Sequence, residues 1–322
     1  MKALILPVCL LILSSCASTP QSIQIRTDGL GALPAAVELT GTPFYPQTQY
    51  QCGPAALATV LQAHGVKTTP EILSGQVYIP ERQGSLQIEI AVAARRHNML
   101  PYSLTRQMSA LFAEVAAGNP VLILQNLGLE WYPKWHYAVV VGYDTNTHEI
   151  VLRSGTSKRW VTPFKVFERT WQRADFWALV IVPVGDIPVT AEPLRYLKTV
   201  YAFEETGSPE LALKAYQSAT KRWPDIAVTW ITLGNMAYKN GDWPEAISAF
   251  HSALSIEPES TTGWNNLAYS LHAYGCKNQA ESALQCGLNI APGDENLLNS
   301  WQELSEKPVN NRRTDCIPVQ CY

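Results

Sequence analysis

Cys52 opens the stretch CGPAALATVLQAHG (52–65), whose apolar residues recur at helical spacing and which closes on Gly65. A thiol at that position meets unpaired backbone N–H groups and the positive end of a helix dipole, which favour thiolate over thiol and predict a lowered pKa. Gln47, five residues upstream, can aim an amide N–H at the place where an oxyanion develops when a thiolate attacks a carbonyl. One such donor is worth about 3 kcal/mol. His136, 84 residues further on, opens the run HYAVVVGYD (136–144), so a strand end can present its imidazole to the helix that carries Cys52. A thiol on a helix and an imidazole on a strand are the parts of a nucleophilic acyl-transfer pair. Without Gln47 and His136, a Cys beside a helix reads as a small buried hydrophobe.

The segments that must hold these residues alternate in type. SLQIEIAVAARRHN (85–98) and QMSALFAEVAAGN (107–119) carry helical periodicity. VLILQN (121–126), HYAVVVGYD (136–144), EIVLRS (149–154) and FWALVIVPV (176–184) are β-branched and aromatic runs of strand length, and DTNTHE (144–149) supplies turn residues between two of them. Helices first and an antiparallel sheet second is the order of an α+β domain. After Pro188 a period of 34 sets in: Ala212, Ala246 and Ala280 share it, as do Pro224, Pro258 and Pro292, and Tyr196, Trp230 and Trp264. Small Ala residues let paired helices approach, aromatics fill the space beside them, and Pro ends the second helix of each pair. The period and the slots filled by Trp230, Leu233, Gly234, Ala246, Phe250, Ala253 and Pro258 resemble tetratricopeptide repeats. Three repeats plus a closing helix are expected over 193–304, an all-α solenoid, with 305–322 a loose tail.

The combination Gln-x4-Cys-Gly-Pro-Ala-Ala with His-Tyr-Ala-Val-Val-Val-Gly-Tyr-Asp resembles the papain-like cysteine peptidases of the bacteriocin-processing, double-glycine leader peptidase type, in particular stand-alone relatives without a transporter. The resemblance covers a domain of 44–187. It implies Cys52 as nucleophile, His136 as general acid/base and Gln47 as oxyanion donor, with Gln49 and Gln51 as poorer candidates for that last role. Relatives orient the His with an Asp or Asn on the next strand, where this chain reads Arg153-Ser154-Gly155. Ser154 can accept a hydrogen bond from the imidazole but brings no charge. Asp144 is eight residues from His136, about 27 Å along an extended strand and out of reach of the same ring. The expectation is a Cys–His dyad assisted by Ser154 or a backbone carbonyl, and weaker than a full triad. Trp131, Tyr132 and Trp135 either line a substrate cleft or belong to the core. His64, His97, His148, His251 and His272 read as surface or packing residues.

MKALILPVCLLILSS (1–15) has one Lys and an apolar stretch of about ten residues, short for the roughly 20 that cross a bilayer, and reads as a secretory signal. Leu13-Ser14-Ser15-Cys16 resembles a bacterial lipobox. That resemblance implies lipid attachment at Cys16, and Ala17 after it implies the outer membrane, facing the periplasm. Residues 16–43, rich in Ser, Thr, Gly and Pro, are expected to be a tether. Of seven Cys, those at 276, 286, 316 and 321 could form two disulfides in three connectivities, which sequence leaves open.

A length of 322 residues fits two domains, and 47% hydrophobic residues with 10 Trp exclude global disorder. Twenty-four basic against 27 acidic residues, with no basic stripe, argue against nucleic acid as partner. No zinc-ligand spacing and no phosphate loop is present, so no metal or cofactor is expected. The leading expectation is a membrane-anchored extracytoplasmic cysteine peptidase hydrolysing a peptide or related amide bond, its repeats recruiting a peptide or protein partner. The alternative is an envelope scaffold that has lost catalysis, and a transferase using the same acyl-enzyme is a narrower third.

Overall fold

The computed structural model describes residues 18–47, 51–206, 208–309, 313 and 316–321. The signal segment, Cys16 and Gln49 lie outside the described residues. The four β-rich runs become β3 (Val121–Asn126), β4 (Trp135–Asp144), β5 (Glu149–Ser154) and β7 (Ala178–Pro183). With β1 (Ala36–Glu38), β2 (Met99–Ser103) and β6 (Ser157–Pro163) they make a seven-stranded antiparallel sheet in the order β2-β7-β3-β4-β5-β6, with β1 paired to β4. Alternation along β3 and β4 sends Leu122, Leu124, Tyr137, Val139 and Val141 to one face. There they meet α2 (Cys52–Ala63), α3 (Pro70–Val77) and α4 (Gln87–Arg96). Val121, Ile123, Ala138 and Val140 face the other way, towards α5 (Met108–Ala116) and α6 (Phe164–Gln172).

Elements β2, β6, α3 and α6 are not among those expected from the sequence; the two strands are hidden for physical reasons, whereas α6 carries a clear apolar face in Phe164, Phe167 and Trp171. The first four residues of β2, MLPYS, are all buried, so no alternation is visible, and β6 is a polar edge strand. The segment expected to be a tether is folded from Pro20 onward. Its first part is α1 (Pro20–Asp28), started by a Pro whose missing N–H costs nothing at a first helical turn. The wholly buried carboxylate of Glu168 on α6 accepts the N–H groups of Gln21 (3.0 Å) and Ser22 (2.7 Å) and the Ser22 hydroxyl (2.5 Å). β1 then adds to β4 in the register Ala36↔Asp144, Val37↔Tyr143 and Glu38↔Gly142. Pairing of this kind leaves no tether between residue 20 and the sheet.

The repeats follow as α7 (Pro193–Glu205) with α8 (Pro209–Arg222), α9 (Ala227–Lys239) with α10 (Trp243–Ile256), and α11 (Thr261–Tyr274) with α12 (Lys277–Ile290), closed by α13 (Glu295–Glu306). Ala212, Ala246 and Ala280 are buried where paired helices meet, and a Cβ on Gly234 would lie 2.7 Å from the Phe250 ring. The change of period at Pro188 is a change of element type and not of core. Tyr196, Leu197 and Val200 on α7 share one apolar cluster with Phe112, Phe164 and Val180, and the Tyr102 hydroxyl accepts the Glu192 N–H (3.0 Å). Within the tail expected to be loose, Cys316 and Cys321 are tied to α12 by the disulfides Cys276–Cys316 and Cys286–Cys321.

Glu168→Ala removes the acceptor of two first-turn N–H groups, so α1 is expected to detach at a cost of about 1–3 kcal/mol. Limited trypsin digestion checks it: cleavage after Arg26 should speed up while the repeats stay intact.

Candidate active site

Helix α2 starts at Cys52 because Gln51 already leaves the extended region (φ −103°, ψ 22°) and its carbonyl accepts the Ala55 N–H at 3.2 Å. Gly53 at the second position is required by contact: a Cβ there would lie 2.6 Å from the Cβ of Ser85, whose own hydroxyl is buried without a partner. The Tyr137 ring stands edge-on to Trp177, and its hydroxyl donates to the Ser85 carbonyl at 3.2 Å. These contacts seat the first turn of α2 against the start of β4. The backbone N–H groups of Tyr137, Gly53 and Cys52 itself lie near the Cys52 sulfur and act to lower the pKa of its thiol. The sulfur therefore sits one residue from His136 along β4.

Cys52 and His136 line one cleft of about 930 Å³, together with Gln47, Ser85, Lys134, Trp135 and Gly155. His136 Nε2 is 2.9 Å from the Ser154 hydroxyl, which leaves Nδ1 as the ring nitrogen for the cleft. Ser154, in the position where the relatives' orienting residue is expected, thus meets the imidazole from the end of β5. Gln47 is clamped on both sides of the same corner. Its N–H donates to the Gly155 carbonyl (3.0 Å), its Oε1 accepts the Gly155 N–H (3.2 Å) and its Nε2 donates to the Tyr137 carbonyl at 3.4 Å. A primary amide carries two N–H bonds, so one remains for a ligand.

The electrostatics depart from the sequence expectation. Burial pushes the Cys52 thiol above its ordinary value, and the three backbone N–H groups that favour thiolate only partly offset it. Burial likewise pushes His136 below the ordinary imidazole value. Both shifts favour the neutral thiol and the neutral imidazole over the ion pair, against the lowering expected from the helix N-terminus. Asp144 is committed elsewhere: its Oδ1 accepts the N–H groups of Asn146 (2.7 Å) and Thr147 (3.3 Å) in the β4–β5 turn.

Two contributors escape sequence reasoning. Arg153, beside Ser154, is buried and donates to the carbonyls of Leu39, Thr40, Thr42 and Lys158, fixing the strand of chain that leads into Gln47. Ser85 braces Gly53 from a loop of no distinctive composition; neither residue carries a sequence signal. Trp135 lines the cleft, whereas Trp131 and Tyr132 project from the β3–β4 loop into solvent. His64 and His97 are at the ends of α2 and α4, His148 is in a turn, and His251 and His272 lie on repeat helices. Among the described residues no group of His, Cys, Asp and Glu is placed to hold a metal.

If burial governs the sulfur, iodoacetamide should label Cys52 at a rate that keeps rising through the ordinary thiol range, without an early plateau at mildly acidic pH. Gly53→Ala should slow labelling or shift its profile by displacing the helix start, read by mass spectrometry.

The Peptidase_C39 like family matches residues 39–178, and the tetratricopeptide repeat matches residues 197–260 and 231–283. Similar solved structures include a C39-like peptidase from Bacillus anthracis (20% identity, 46% of this chain and 98% of that one, TM-score 0.40). The peptidase domain of Streptococcus ComA, a bi-functional ABC transporter involved in quorum sensing, is 18% identical over 44% of this chain and 98% of its own, with a TM-score of 0.36. The second repeat domain of human RPAP3, solved with an HSP70 peptide, is 16% identical over 36% of this chain and 100% of its own, with a TM-score of 0.34. No curated protein matches the chain. The chain carries a C39-like peptidase domain followed by tetratricopeptide repeats.

Proposed function

We propose that the chain is a cysteine peptidase of the cell envelope, held to a membrane by lipid on Cys16, whose repeats recruit a peptide or protein. The observation that carries this reading is that Cys52, at the start of α2, lines one cleft with Gln47 and His136, the imidazole itself held by Ser154 at 2.9 Å. As substrate binds, His136 takes the Cys52 proton while sulfur attacks the carbonyl carbon and forms the C–S bond. Gln47 and backbone N–H groups hold the resulting oxyanion. The imidazolium then gives its proton to the departing amine, and water attacks the thioester to release the acid and restore the thiol. Starting from thiol and imidazole, the pair separates charge only as the oxyanion forms. A desolvated site makes that separation costly without a carboxylate beside the ring, and Ser154 offers only a dipole.

Two disulfides at the C-terminal end support an oxidising compartment, in keeping with the signal and lipobox reading. The scaffold alternative is favoured by the missing carboxylate and opposed by the joint presence of Cys52, His136 and Gln47 around one cleft.

The test uses the chain from residue 18 onward, which contains every described element, incubated with a proteome-derived peptide library read by mass spectrometry. Cleavage that disappears in Cys52→Ala and in His136→Ala supports the peptidase. No cleavage, with alkylation of Cys52 indifferent to His136→Ala, leaves the scaffold. The pH profile of hydrolysis should be a broad bell. The pair carries one mobile proton between the two pKa values, so a lowered imidazole and a raised thiol move the acid limb down and the alkaline limb up. Ser154→Asp should raise kcat/KM by about tenfold or more by stabilising the imidazolium, and shift the acid limb upward.

A further inference from the structure

Between β3 and β4 the chain projects a loop of residues 127–134 that is tightly held at its base. Asn126 Oδ1 accepts the N–H groups of Gly128 and Lys134 (both 2.9 Å), the Leu127 N–H donates to the Lys134 carbonyl (2.9 Å), and Leu129 and Tyr132 exchange hydrogen bonds at 3.2 Å. This rigid tip presents Leu127, Leu129, Trp131, Tyr132 and Trp135, each more than half exposed, with Trp131 at 80%. Leu127 joins Trp160 on β6 and Val166 on α6 around a hollow of about 370 Å³, otherwise lined mostly by polar residues that include His136 and Ser154, so these exposed apolar side chains share one rim with the loop. A patch of this kind calls for a partner. Around it stand the exposed side chains of Lys134, Lys158 and Lys165, none in an ion pair among the described residues, against one loop acid, Glu130.

The folding of residues 20–38 fixes what can lie opposite. Cys16 is four residues from Pro20, a reach of at most about 14 Å. The N–H groups of Gln21 and Ser22 are bonded to Glu168 on α6, and Arg173 at the end of that helix donates to the Asn126 carbonyl at the base of the loop (2.9 Å). Glu168 and Arg173 are separated by about 7.5 Å of helix rise. Helix α1, which begins four residues after Cys16, and the aromatic loop are therefore fastened to the same short helix.

We propose that loop 127–134, with Trp135, Trp160 and Val166, is a membrane-interface docking patch that seats its aromatic side chains among the headgroups of the bilayer holding Cys16, its lysines meeting anionic headgroups. Aromatic rings with a polar edge suit that depth, and unpaired lysines add electrostatic attraction. The choice of bilayer rests on the lipid-anchor reading. The patch itself does not, and the experiment separates them.

The chain from residue 18 onward, without Cys16, is floated with vesicles of phosphatidylcholine containing phosphatidylglycerol. It should bind, more weakly as salt rises, and the double variant Trp131→Ser/Tyr132→Ser should lower its partition about tenfold. Brominated acyl chains should quench Trp emission in the parent and less in the variant. Failure of the parent to float, or equal flotation of the variant, overturns the patch. So does an unchanged partition with a raised KM for library peptides, which would assign the loop to substrate. Palmitate incorporation into the full chain and its Cys16→Ala variant tests the anchor separately: flotation without lipid incorporation keeps the patch and removes the anchor, and the reverse removes the patch.

Discussion

Seating the first turn of α2 against the start of β4 is the contact on which the candidate site depends. The helix start can sit this close to β4 only because Gly53 has no side chain to collide with Ser85, and because the Tyr137 ring and hydroxyl hold that corner. The same closeness that supplies hydrogen bonds also strips water from the sulfur. Desolvation then outweighs the dipole, which raises the Cys52 thiol above its ordinary value. A helix N-terminus is a weak predictor of thiolate when the thiol is buried.

The His136 side of the site follows from strand alternation. β4 directs Tyr137 to the α2 face and His136 to the face of Gln125, Ser154 and α6. The imidazole thus borders both the main cleft and the smaller hollow beyond it. A serine in the orienting position fixes the ring's tilt through Nε2 but leaves its charge uncompensated. Geometry is retained and electrostatic assistance is not.

Residues with a strong local signature were legible in the sequence. Gly65 and the apolar period announced α2, the β-branched runs announced β3, β4, β5 and β7, and a shared interval of 34 announced the repeats. What stayed hidden depends on distant partners. α1 is polar and short, and becomes a helix in place because Glu168, more than 140 residues away, is buried and needs donors. Arg153 looks like an exposed strand residue until four carbonyls converge on it. Cys pairing was open among three choices, and only the return of the tail over α11 and α12 selects one.

That return has a consequence for how the molecule matures. Stacked helical pairs ordinarily loosen from their free end, because the last unit has a neighbour on one side only. Here Cys276 and Cys286 of the final pair wait for Cys316 and Cys321, which are synthesised after every repeat helix. Until those residues arrive, the far end of the array can fray. Once both crosslinks close, fraying from that end is blocked, so oxidation acts as a latch that is set only after the helices it fastens have all been made.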